Sequence, residues 1–105
     1  MPYDVGMSNP AFTLDGEHET QNGWLYTFSL LGKGDSTHHE LTLSWVDHEH
    51  LVGGSIAPER VAFACFALAT ESFGDSLPPR FDVSVLRRRL DHFDERVRER
   101  IEAPL

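Results

Sequence analysis

Lysine occurs once, at Lys33, and cysteine once, at Cys65, in a chain of 105 residues. A lone cysteine excludes an internal disulfide and any cysteine-rich zinc cluster. Nowhere does the chain approach the roughly 18 consecutive apolar residues that a membrane span needs. The opening MPYDVGMSNP lacks the basic-then-apolar layout of a secretory leader. With an unpaired cysteine, these absences predict a cytoplasmic protein. Also missing are a phosphate-cradling glycine loop, a dinucleotide fingerprint, a nucleophile elbow and an HExxH pair. Ser55, just ahead of an apolar run, suits capping better than nucleophilic attack. Catalysis is therefore the least supported class. Internal repeats and low-complexity segments are absent too.

What is present is acid, unevenly placed. Residues 1–57 hold eight carboxylates against Lys33, a net of −7, whereas residues 58–105 hold nine against eight arginines, a net of −1. An acidic half repels phosphate backbones and anionic lipid, so neither nucleic acid nor a membrane surface is expected as a partner. The arginines at 87–89, 96, 98 and 100 do not reverse this. Asp91, Asp94, Glu95, Glu99 and Glu102 are interleaved with them, which describes a charge-balanced, solvated helix face.

Apolar periodicity supplies the architecture. Over Pro58–Phe73, PERVAFACFALATESF, helical spacing puts Val61, Ala62, Cys65, Phe66, Leu68 and Ala69 on one broad arc. Glu59, Phe63, Ala67 and Thr70 fall opposite. Pro58 suits a first turn and Gly74 a stop, and so wide an arc makes this the core helix. Trp24–Leu31 and His39–Val46 alternate with a period of two and are joined by a glycine-containing turn, the pattern of an antiparallel hairpin. Trp24, Tyr26, Phe28 and Leu30, with Leu41, Leu43 and Trp45, would face the core helix. Ala11–Leu14 is a short extra strand, and DGEHETQNG over 15–23 reads as a loop. Leu86, Leu90, Phe93, Val97 and Ile101 make a narrow stripe along a second helix over 83–101, with DHFD at 91–94 its weak point. The expected fold is one two-layer α+β domain over 1–105, its sheet of two or three antiparallel strands lying on the core helix, with 1–10 a fraying segment.

Antiparallel pairing sets Trp24 beside Val46, so Glu17, His18 and Glu19 meet Asp47, His48, Glu49 and His50 at one end of the sheet. In extended conformation His48 and His50 would point the same way. With His18, Glu17 or Asp47 they compose a candidate site for zinc or another divalent ion. The plainer reading is an acidic loop with solvated histidines. A second class of function is protein interaction, with another protein or a second copy. Phe63 stands on the polar side of the core helix, where it is either covered or an anchor for a partner. Leu51 and Val52 stand in a hydrophilic stretch, as a patch or as a cap on the core. Arg87 and Arg88 would dock an acidic partner only if left unpaired. The sequence favours a non-enzymatic interaction or regulatory domain, with the metal- or small-ligand-binding reading as its alternative.

Overall fold

The computed structural model describes residues 11–32 and 34–102. The expected fraying of 1–10 lies outside the described residues. Among the described residues, four strands and four α-helices form an α+β fold: β1 (Phe12–Glu19), β2 (Gly23–Leu31), β3 (Ser36–Ser44), α1 (Trp45–Val52), α2 (Pro58–Phe73), β4 (Arg80–Asp82), α3 (Val83–Arg89) and α4 (Phe93–Glu102). The strands lie in sequence order across one sheet. β1–β2 and β2–β3 pair antiparallel, and β3–β4 pair parallel.

The α+β class and the hairpin agree with the sequence; the strand count does not. The sheet is four-stranded and mixed, not a two- or three-stranded antiparallel one. β1 runs on through residues read as loop, because the register shifts between Leu14 and Gly16 and leaves Asp15 as a bulge. Asp15 is held there by hydrogen bonds accepted from the hydroxyls of Thr13 and Ser29. A bulge breaks the period-two pattern, so the strand is invisible to alternation. β4 is three residues long and follows Pro78-Pro79, too short to show any period.

The core is where the alternating aromatics predict it. Tyr26, Phe28, Leu41 and Leu43 are buried on one face of the sheet, and Val61, Ala62, Cys65, Phe66 and Ala69 are buried on α2. Phe28 and Phe66 stack with centroids 4.0 Å apart, and Phe12 meets Phe66 edge-on at 4.9 Å. Such aromatic pairs add about 0.5–1.5 kcal/mol each beyond the area they bury. α2 begins at Pro58 and stops at Gly74 (φ 53°), as the sequence requires. Ala67, assigned to the polar side, is buried, and α4 packs against α2.

Two helix boundaries differ from expectation. β3 ends at Ser44, and the chain turns directly into α1. The Ser44 hydroxyl accepts a hydrogen bond from the Asp47 amide (3.0 Å), satisfying one of the free donors of a helix start. Trp45 thus leaves the sheet and never joins its core face. The expected single helix over 83–101 is two helices. His92 adopts a left-handed conformation (φ 56°) between them, at the DHFD stretch. The turn lets Val83 and Leu86 on one side, and Phe93 and Val97 on the other, reach a common core.

Candidate functional site

β2–β3 pairing sets Gly23 opposite Ser44 and Trp24 opposite Leu43, while Glu19 of β1 lies opposite Trp24. Trp24 is therefore opposite Leu43 and not beside Val46, which lies on α1, although 17–19 and the start of α1 still lie toward the same end of the sheet. The helical path of 45–52 then separates their side chains. Successive residues of a helix lie about 100° apart, so His48 and His50 point to different sides rather than the same one.

The three donors on α1 each have their own partner. His48 is buried, its Nε2 2.7 Å from the Ile56 carbonyl oxygen and its ring edge-on to Trp24. His50 lies 3.0 Å from Asp94. Asp47 is buried and ion-paired with Arg87. On β1, Glu17 shares the inner face with Tyr26, whereas His18, opposite Leu25, is on the outer face. Among the described residues, no group of three or more His, Cys, Asp or Glu side chains is placed to hold a metal ion.

Asp47 instead belongs to a network that ties three helices. Arg87 of α3 reaches Asp47 on α1 and, through Nε at 3.0 Å, Asp94 on α4. Its Nη2 is buried without a hydrogen-bond partner. Burial alone would lower the Arg87 pKa, but the two carboxylates outweigh it and raise it further. Other arginines of α3 and α4 are employed as well. Arg98 donates to the Leu51 carbonyl (2.6 Å) and the His50 carbonyl (3.1 Å), neutralising the negative end of α1. Arg100 pairs with Glu71 (2.6 Å), and Arg89 lies over the Phe73 ring at 5.6 Å. Arg88 is exposed, but with Arg87 and Arg89 engaged the stripe is not an open basic docking site.

Three other features carry no catalytic geometry. Asp15, Ser29 and His38 stand together on the outer sheet face, with Ser29 Oγ donating to Asp15 and 3.2 Å from His38 Nδ1. In a nucleophilic triad the imidazole stands between hydroxyl and carboxylate. Here the hydroxyl is in the middle, so no serine-to-histidine-to-aspartate relay exists. The Tyr26 hydroxyl is buried without a partner. Burial first, then the nearby charges of Glu17 and Glu59, push its pKa well above the ordinary value, so it stays protonated. Cys65 is fully buried, and that burial likewise drives the thiol far up. It is no nucleophile.

The sequence-predicted interaction residues divide. Phe63 is half-buried and packed against the core, with the Phe12 ring at 4.8 Å between centroids. Leu51 is fully buried and Val52 half-buried, so both cap the core. The exposed large apolar side chains among the described residues are others: Leu31 at the end of β2 is 57% exposed, and Trp45 (54%) and Val46 (77%) stand side by side in the first turn of α1. Sequence alternation misplaced Trp45 into the core. The available signal was Ser44-x-x-Asp47, a helix-start pattern that turns the residues after it out of the sheet.

No protein-family model matches the chain, and no curated protein or solved structure is similar to it at a significant level. Among the described residues, no helix is long and apolar enough to cross a membrane.

Proposed function

We propose that this is a non-catalytic interaction domain that binds another protein through the outer face of α1, with Trp45 and Val46 as its anchors. The observation that carries the reading is their joint exposure beside a tightly paired network. Every neighbouring polar group of α1 that faces the core is satisfied internally, yet a tryptophan and a valine are left in water. Tryptophan is enriched among residues that dominate binding energy, because it buries a large area at small entropic cost. Asp47, His48 and Leu51 hold the other side of the helix in the core, so the exposed side is presented on a rigid support. A free, buried cysteine accords with a cytoplasmic setting.

The test compares affinity capture by the wild-type chain with capture by Trp45→Ala/Val46→Asp. The variant is expected to keep the wild-type circular dichroism spectrum and to lose the proteins that the wild type retains. Light scattering across dilution is expected to give a constant monomer mass for both. Identical capture by the two chains would refute the reading. A mass that rises with concentration and falls in the variant would replace it with self-association.

A further inference from the structure

We infer that the partner's contacting segment is basic, and that it seats an apolar side chain in a groove at the far end of α1. This rests on the interaction reading above. Trp45 and Val52 are two turns apart, about 10 Å at 1.5 Å per residue, on one side of the helix. At Val52 that side opens into a cavity of about 480 Å³ between the C-terminal ends of α1 and α4. Its apolar walls are Val52, Ile56 and Ile101, and its rim carries Glu49 and Glu102. Clefts that hold ligands or side chains span roughly 300–1,000 Å³, so the room suffices for an inserted side chain.

Charge selects the occupant. Arg98 also lines the groove, but its donors are already engaged by carbonyls at the negative end of α1, and its single charge stands against two carboxylates. Glu49 and Glu102 meet no cation among the described residues. The rim is therefore left negative on a chain whose net charge is −8. A second copy would bring the same −8 to the contact, which opposes self-association through this face. A lysine or arginine beside an aliphatic or aromatic side chain satisfies both the rim and the walls, and attraction to the acidic surface speeds its approach.

The experiment selects a random peptide library, displayed on phage, against the immobilised full chain. Enriched peptides are then titrated calorimetrically at low and high salt. The expected result is enrichment of peptides with Lys or Arg next to Leu, Ile or Phe. Their affinity should fall with salt, and should drop about tenfold in Glu49→Lys/Glu102→Lys, two exposed substitutions that leave the core untouched. Enrichment of neutral or acidic peptides, failure to enrich any, or affinity unchanged by the charge reversal would overturn the inference. Peptides that survive the reversal but are lost in Trp45→Ala/Val46→Asp would refute the basic partner alone. Peptides indifferent to Trp45→Ala/Val46→Asp would refute the underlying interaction reading.

Discussion

Replacing Arg87 by methionine tests whether the three-helix network holds the domain together. The Arg87 side chain is 29% exposed, Asp47 11% and Asp94 22%, so this is neither a surface pair nor a fully dry one. Exposed pairs contribute about 0–1 kcal/mol, whereas removing one member of a buried pair costs about 3–5 kcal/mol because the other charge is left without compensation. Asp47 is the member that would be stranded. Against this, the buried and unpartnered Nη2 is a cost that methionine removes, about 1–3 kcal/mol for an unmet donor. The expected net loss is therefore about 2–3 kcal/mol, a large part of the 5–15 kcal/mol typical of whole domains. With a urea slope of about 1–3 kcal/mol per molar, the unfolding midpoint should fall by roughly 1–2 M. Arg87→Met/Asp47→Asn/Asp94→Asn should recover part of the loss, since no orphan charge remains. A loss below about 0.5 kcal/mol in Arg87→Met, or no recovery in the triple variant, would refute the account of the network.

Gly23→Ala should cost at least about 2 kcal/mol, read from chemical denaturation. A Cβ there would stand 2.1 Å from the Leu43 carbonyl oxygen, and backbone cannot step aside as a side chain can. Asp82 caps α3 by accepting the Ser84 amide at 2.9 Å and also accepts the Thr42 hydroxyl. Burial raises its pKa, but these hydrogen bonds outweigh it and hold the carboxyl below its usual value. A depressed carboxylate contributes stability above its unfolded pKa of about 3.9 and loses it as pH falls through the lower folded value. Asp82→Ala should then cost about 1 kcal/mol at pH 7 and flatten the stability curve below about pH 4; an unchanged acid limb would exclude a contribution from the ionised carboxylate. Cys65 should react with a thiol reagent at the rate of unfolding, whatever the reagent concentration, because its thiol is both buried and held protonated. A fast second-order reaction in the native protein would show that the core opens there.

Long periodic segments were legible before any coordinates. The apolar arc of α2, the Pro58 and Gly74 boundaries and the alternating faces of Trp24–Leu31 and Leu41–Leu43 all follow from side-chain spacing alone. Segments too short or too irregular to have a period were not. β1 is interrupted by the Asp15 bulge, β4 is three residues long, and α1 is an eight-residue helix launched from a strand by one serine cap. The candidate site suffered most, because three of its five proposed metal donors lie on α1. Misreading one boundary by two residues moved Trp45 from surface to core and aligned two histidines that in fact diverge.

From its amino acids alone this chain already specified a core helix, an aromatic hairpin, an acidic N-terminal half and a single unpaired cysteine, since periodicity, charge and counting are properties of the string. Only tertiary structure decided which charges are spent and which remain. The arginines of α3 and α4 are interleaved with acids in sequence, yet Arg87, Arg98 and Arg100 find their partners on α1 and α2, between 29 and 48 residues away. Pairing at that range depends on how helices cross, which no local pattern encodes. Among the groups it leaves free to meet something else are Trp45, Val46, Glu49 and Glu102.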